Sequence, residues 1–365
     1  MRKLRVLIVD DSAVIRRMVR ELVAADPELE VAGVAANGKI ALAMVDQCTP
    51  DAVTLDIEMP EMDGLTALKE MRATRPGLRI IMFSTLTERA AMATLDALAL
   101  GADDYVTKPT RVNNLAEGSL RIREQLIPKI KALCGRRSLP IASSACVSAP
   151  VAALPSKRSC PPDVVAIGTS TGGPNALAEI LARIPGDFSL PILIVQHMPP
   201  VFTRFLAERL SASSRIPVKE ALPRAEVRRG QVWIAPGDFH LIVLRDGAQV
   251  RLATIQIPPE NSCRPSVDVL FRSVAEVYGA RSLAVVLTGM GQDGLRGCER
   301  IHEAGGQIVV QDEASSVVWG MPGAVASAGI ADCVLPLAEI AGEIVRKAAS
   351  NPTMMAASAA QGQVV

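Results

Sequence analysis

Short β-branched apolar runs alternate with longer amphipathic ones along most of this chain, and this alternation restricts the possible fold more than any other feature. Arg5–Val9, Val31–Val34, Ala52–Leu55, Ile80–Phe83 and Asp104–Val106 read as strands. Helical spacing covers Ala13–Ala25, Lys39–Gln47, Asp63–Thr74, Glu88–Leu100 and Asn113–Gln125. Five such βα units predict a parallel sheet with helices on both faces. Between Gly135 and Pro162 the periodicity gives way to Ser, Ala, Pro and the basic pairs Arg136-Arg137 and Lys157-Arg158, the composition of a flexible linker. Alternation then resumes, with strands near 164–167, 192–195, 232–234, 241–244, 284–287 and 308–310. The expected architecture is α/β, two doubly wound parallel-sheet domains joined by a flexible linker. The boundaries are set at 1–125, 126–162 and 163–349, with a small, polar, disordered tail over 350–365.

Composition agrees with two cores. At 365 residues the chain exceeds one ordinary domain, and 49% hydrophobic with 21% charged residues suits a globular protein. A net charge of +1 provides no field to draw it to nucleic acid or an anionic membrane. Seven scattered cysteines, none in a C-x-x-C pair, argue against a zinc knuckle or a disulfide framework and favour a reducing cytoplasm. The basic, apolar N-terminus is cut by Asp10 and Asp11 too soon for a signal peptide, and no apolar run is long enough to span a bilayer.

Asp10 and Asp11 follow the first strand and Asp56 the third, so all three face the carboxyl edge where ligands bind in doubly wound sheets. Three converging carboxylates repel one another unless a cation lies between them, and Mg²⁺ suits oxygen ligands and phosphates. Ser84 ends the fourth strand and Lys108-Pro109 the fifth; a hydroxyl and an ammonium there suit a phosphoryl group carried on a carboxylate. Taken singly, each of these residues also reads as a cap or a surface charge.

In the second domain, Gly168-Thr169-Ser170-Thr171-Gly172-Gly173-Pro174 sets a serine between glycines where the strand Val164–Ile167 turns into a helix. Alone, Ser170 reads more readily as a helix cap than as a nucleophile. A dinucleotide loop fits poorly, because neither G-x-G-x-x-G nor G-K-[ST] is present. A nucleophilic serine needs a base, and His197 ends the next strand-like run. His240 and His302 read as structural. Asp293, in Thr288-Gly289-Met290-Gly291-Gln292-Asp293-Gly294, follows another strand and is the candidate to fix the imidazole tautomer.

Residues 1 to about 125 resemble a two-component receiver domain, on the Asp10-Asp11 pair, Asp56 before Ile57-Glu58-Met59-Pro60, Asp63-Gly64, Ser84 and Lys108-Pro109. The resemblance implies Asp56 as phosphoryl acceptor, and Asp11, Asp56 and the Glu58 carbonyl as Mg²⁺ ligands with Asp10 in support. It also implies Ser84 and Lys108 as phosphoryl sensors and Tyr105 as the aromatic whose rotamer follows the switch. The second domain resembles the catalytic domain of chemotaxis-type protein-glutamate methylesterases, the CheB family. That match rests on the Ser170 turn, Gln196-His197-Met198-Pro199, Ala235-Pro236-Gly237, Arg264-Pro265-Ser266-Val267-Asp268, the Thr288–Gly294 run and Gly320-Met321-Pro322.

This second resemblance implies Ser170 as nucleophile, His197 as general base, Asp293 as orienting acid and the Met290 N–H as oxyanion donor. It implies glutamate γ-methyl esters on the cytoplasmic helices of chemoreceptors as substrate, deamidation of receptor glutamines as a second activity, and no cofactor for ester hydrolysis. A sensor histidine kinase is the implied phosphodonor, and the unphosphorylated receiver is expected to cover the esterase site. The protein is expected to be a cytoplasmic monomer that binds no nucleic acid. The competing readings are a DNA-binding regulator, for which no helix-turn-helix or basic stripe is present, and a binding module with a degenerate serine site.

Overall fold

The structure, a computed structural model, describes residues 2–108, 115–135 and 160–349. Pro109, the expected helix start at Asn113, most of the expected linker and the 350–365 tail lie outside the described residues. The chain divides into two compact units, 1–139 and 140–365.

The first unit runs β1 (Leu4–Val9), α1 (Ala13–Ala25), β2 (Leu29–Ala35), α2 (Gly38–Cys48), β3 (Ala52–Asp56), α3 (Gly64–Thr74), β4 (Arg79–Ser84), α4 (Glu88–Ala99), β5 (Asp104–Thr107) and α5 (Leu115–Cys134). Its five strands are all parallel, in the order β2-β1-β3-β4-β5. This order reverses direction between β1 and β3, and a crevice opens at the carboxyl ends of those two strands. The helices begin where side chains satisfy their first N–H groups: Ser12, Asn37, Asp63 and Thr87 cap α1 to α4.

The boundary at 125 is too early. Helix α5 continues to Cys134 through Pro128, because Leu126, Ile130 and Leu133 are buried on one face and Lys129 Nζ pairs with Asp104 Oδ2 at 2.9 Å. Burial of that face outweighs the local preference of proline to end a helix.

The second unit continues with β6 (Val164–Thr169), α6 (Gly173–Arg183), β7 (Ile192–Gln196), α7 (Phe202–Ser213), β8 (Val218–Glu220), β9 (Val232–Ile234), β10 (His240–Asp246), β11 (Gln249–Ile255) and α8 (Val267–Tyr278). It closes with β12 (Ser282–Val286), α9 (Leu295–Glu303), β13 (Gln307–Gln311), α10 (Met321–Ser327), β14 (Cys333–Leu335) and α11 (Leu337–Ala349). Seven strands form a parallel sheet in the order β14-β13-β12-β6-β7-β9-β8. The run 241–244, expected as one more strand of a parallel sheet, instead pairs antiparallel with β11 in a separate two-stranded sheet. The hairpin packs its inward residues Leu241, Val243 and Leu252 into the same core as Val267, Phe271 and Val274 of α8.

Candidate functional sites

In the first unit the acids do converge. One carboxylate oxygen each of Asp10, Asp11 and Asp56 lies within 4.8 Å of the others, and the single ammonium among them, Lys108 Nζ, is 2.8 Å from both Asp10 Oδ2 and Asp56 Oδ2. Asp56 Oδ1 accepts the Ile57 N–H at 2.8 Å and Asp10 Oδ1 the Ser12 N–H at 2.9 Å. Burial, then the charge of Asp10, raises Asp56 to about 6 in spite of Lys108. Burial raises Asp10 as well. Three carboxylates against one lysine leave an excess of negative charge on hard oxygen donors, which fits Mg²⁺.

Ser84 and Glu58 line the same cavity as Asp11, Asp56 and Lys108. The Ser84 hydroxyl is engaged with α4: it accepts from Thr94 Oγ1 at 2.7 Å and reaches the Ala90 carbonyl at 3.4 Å. Tyr105 is buried, 7% exposed, with Lys129 Nζ 5.2 Å from its ring centre. Thr94 was not singled out in the sequence, although its position on the buried face of α4 follows from helical spacing.

In the second unit the candidate side chains lie beyond the carboxyl ends of β6, β7 and β12, beside the point where the strand order reverses between β6 and β12. Thr169 pairs with Gln196 across β6 and β7, so Ser170 and His197 leave the sheet side by side. The His197 N–H donates to Thr169 O at 3.1 Å, and Gln196 Nε2 donates to Ser170 O at 2.9 Å. Ser170 N donates to Thr288 O at 3.1 Å. Two glycines permit this packing. Gly172 holds φ +79° at the start of α6. A Cβ on Gly289 would stand 2.9 Å from Ser170 Cβ.

His197 Nε2 lies 2.7 Å from Asp293 Oδ2. A carboxylate can only accept, so this nitrogen carries a proton, and in the neutral imidazole the lone pair is on Nδ1. Asp293 is itself held by four more donors: Ser266 Oγ at 2.8 Å, the Val267 and Asp268 N–H groups at 2.7 and 3.1 Å, and Asn261 Nδ2 at 2.9 Å. Two of these are the first N–H groups of α8, where a negative charge is favoured. Burial opposes ionisation of Asp293, but His197 and these donors outweigh it and hold the group well below the usual carboxylate range. Burial likewise opposes the charged form of His197, while the Cys263 sulfur and the Asp293 carboxylate together raise it above the ordinary imidazole value.

Ser170 makes no side-chain hydrogen bond to His197 among the described residues; Nδ1 instead faces Cys263 Sγ at 3.5 Å. Catalytic contacts in substrate-free sites are often looser than in the reacting complex. The Met290 N–H, beside Gly289, donates to no group among the described residues. His240 is buried, accepting the Ser266 N–H on Nδ1 at 3.1 Å with Nε2 3.2 Å from the Pro258 carbonyl. It therefore supports the loop that holds Asp293. Asn261 and Cys263 belong to no motif read in the sequence, and Ser266 and Asp268 enter it only as members of the Arg264–Asp268 run.

A receiver-type (βα)5 unit followed by an α/β unit with a serine, histidine and aspartate at one sheet edge defines a class: phosphorylation-controlled hydrolases. Residues 6–118 match the response regulator receiver domain and residues 165–344 the CheB methylesterase family. The chain is 54% identical to a protein-glutamate methylesterase/protein-glutamine glutaminase of Trichodesmium erythraeum over 95% of its own length and 99% of that protein's. It is 50% identical to a protein of the same description from Nocardioides over 98% and 99%. The crystal structure of the Thermotoga maritima CheB methylesterase catalytic domain, 42% identical, superposes with a TM-score of 0.50, covering 51% of this chain and 98% of that one. The chain belongs to the CheB methylesterase family. Receiver domains in general carry a Mg²⁺-binding phosphorylation site. Among the described residues no helix is long and apolar enough to cross a membrane.

Proposed function

We propose that this chain is a phosphorylation-activated protein-glutamate methylesterase and protein-glutamine glutaminase in which Ser170 is the nucleophile. His197 Nδ1 takes the Ser170 proton as Oγ attacks the γ-carbonyl of a glutamate methyl ester on the cytoplasmic helices of a chemoreceptor. The Met290 N–H receives the developing oxyanion. Collapse of the tetrahedral intermediate expels methanol, with the proton returned by His197. Water then attacks the acyl-serine, His197 again taking and returning a proton, and glutamate and free Ser170 result. With a glutamine side chain the same steps release ammonia. Asp293 stays ionised, holds the Nε2–H tautomer and stabilises the imidazolium. No cofactor enters these steps.

In the receiver, Asp56 accepts the phosphoryl group from a sensor histidine kinase. Asp11, Asp56 and the Glu58 carbonyl, with Asp10 in support, would hold Mg²⁺, which would supply charge neutralisation there. Lys108 and Ser84 contact the phosphoryl oxygens, and the Thr94–Ser84 hydrogen bond gives α4 a direct link to that contact, with Tyr105 following on the next strand. The protein acts as a cytoplasmic monomer without nucleic acid.

The observation that carries the reading is the His197–Asp293 contact of 2.7 Å beside a serine placed next to His197 by the β6–β7 register. Methanol release from methylated receptor, with and without a small phosphodonor, tests it. Ser170→Ala is expected to lower the rate by 10⁴-fold or more, roughly the scale of nucleophile loss in serine hydrolases. Methanol release unchanged in that variant would refute the nucleophile.

A further inference from the structure

Among the described residues two clusters bring metal-ligating side chains together: the receiver acids, and His197, Cys263 and Asp293. The second cluster has a sulfur ligand that ester hydrolysis does not use. From it we propose an inhibitory binding site for a borderline-soft divalent cation, Zn²⁺, formed by Cys263 Sγ and His197 Nδ1.

The spacing fits. Zn–S and Zn–N bonds of about 2.3 and 2.0–2.1 Å at a tetrahedral angle put sulfur and nitrogen about 3.5 Å apart, and Cys263 Sγ and His197 Nδ1 are 3.5 Å apart. One ligand atom from each of the three residues lies within 4.8 Å of the other two. The remaining ring nitrogen of His197 is bound to the Asp293 carboxylate. This is the outer-shell partner that a ligating histidine characteristically has, fixing its tautomer and raising its basicity. A thiolate with an imidazole selects zinc-like ions over Mg²⁺ or Ca²⁺.

The thiol is also held in place rather than left on a loose loop. Glu260 and Cys263 exchange backbone hydrogen bonds of 3.1 and 2.8 Å around Asn261 and Ser262, both at positive φ. Glu260 binds Arg272 of α8 through two contacts of 2.6 Å. Asn261, from the same turn, donates to Asp268 and Asp293 at 2.8 and 2.9 Å. Cys263 and His197 are both partly exposed, the His197 side chain at 13%, so the pair borders solvent.

Binding releases the Cys263 thiol proton to solvent, and from the charged form of His197 the Nδ1 proton as well, and forms Zn–S and Zn–N bonds, with water completing the shell. The Nδ1 lone pair is then occupied and cannot accept the Ser170 proton. The inhibitory half of the proposal rests on His197 being the base; the binding half does not.

The test uses the full chain, stripped of metal with a chelator that is then removed. Co²⁺ serves as a spectroscopic probe and Zn²⁺ as the inhibitor. Co²⁺ is expected to give a near-ultraviolet thiolate-to-metal band that Zn²⁺ displaces and that Cys263→Ser lacks. Asp293→Asn is expected to weaken Co²⁺ binding by about 10–100-fold. Methanol release, normalised to each protein's metal-free rate, is expected to need at least ten times more free Zn²⁺ for half-inhibition in Cys263→Ser. Cys263→His, which keeps a ligand, is expected to regain Zn²⁺ inhibition without the sulfur band. The same Co²⁺ band and Zn²⁺ sensitivity in wild type and Cys263→Ser would overturn the site. A Cys263-dependent band without inhibition would establish the site and count against His197 as the base.

Discussion

Asp56 and Asp293 are both buried, 4% and 2% exposed, one ending β3 and the other in the loop after β12, yet burial leaves them with opposite protonation behaviour. Asp56 shares one lysine with Asp10 and accepts one backbone N–H, and it is raised to about 6. Asp293 accepts from His197, Ser266, Asn261 and two N–H groups of α8, and it is depressed. Burial sets the penalty in each case, and the supply of donors decides whether it is overcome. The receiver acid is left short of positive charge, as suits a group that takes a cation and a phosphoryl group. The esterase acid is a fixed anion bound to an imidazole, as suits the proposed role of orienting it.

Replacing each acid by its amide separates the two most sharply. Asp293→Asn is expected to reduce methanol release on the order of 10⁴-fold, because the amide no longer enforces the Nε2–H tautomer. In wild type with a chelator present, the rate is expected to rise with pH through a midpoint above the ordinary imidazole value, since only neutral His197 accepts the Ser170 proton. The residual activity of Asp293→Asn is expected to have a lower midpoint. Asp56→Asn is expected to make the rate indifferent to a phosphodonor. A phosphodonor response that survived in this variant would remove Asp56 from its role.

Stability is expected to move in opposite directions. Asp293→Asn breaks a buried pair and is expected to destabilise the second unit by about 3 kcal/mol. Asp56 has a folded-state value raised from 3.8 to about 6. Its proton stabilises the folded state below about pH 4, and that stability is lost as pH rises through about 6. At pH 7 the charge is therefore a liability, and Asp56→Asn is expected to stabilise the first unit by about 2 kcal/mol. Calorimetry of the full chain reads both. Mg²⁺ is expected to stabilise the wild-type receiver and to have a smaller effect on Asp56→Asn. The smallest effect is expected for Ser266→Ala, which removes one of the donors to Asp293 and should slow methanol release about tenfold. No loss would mean that the remaining donors suffice.

Much of this was legible in the sequence because chemistry-bearing residues follow apolar runs: Asp10, Asp56 and Lys108 in one unit, Ser170 and His197 in the other. Strand ends in parallel sheets share one edge, so location follows from order alone. What was not legible depends on long-range packing. Pro128 reads as a helix end, but buried Ile130 and Leu133 carry α5 past it. The three-residue β8 and β14 are mostly not buried, unlike the equally short but fully buried β9, and so lack a run of buried apolar residues, and β10–β11 have the same alternation as a strand of any sheet. Asn261 and Cys263 lie in a turn whose placement is set by Arg272, twelve residues from Glu260, and no local pattern points them at Asp293 and His197.

Carboxyl carbon NMR of the full chain labelled at aspartate measures the contrast most directly, with resonances assigned by their loss in Asp56→Asn and Asp293→Asn. In Mg²⁺-free buffer the Asp56 signal is expected to titrate near pH 6, while the Asp293 signal stays that of a carboxylate throughout the range in which ordinary aspartates protonate. Both signals moving together within that range would contradict the claim that donor supply sets the two acids apart.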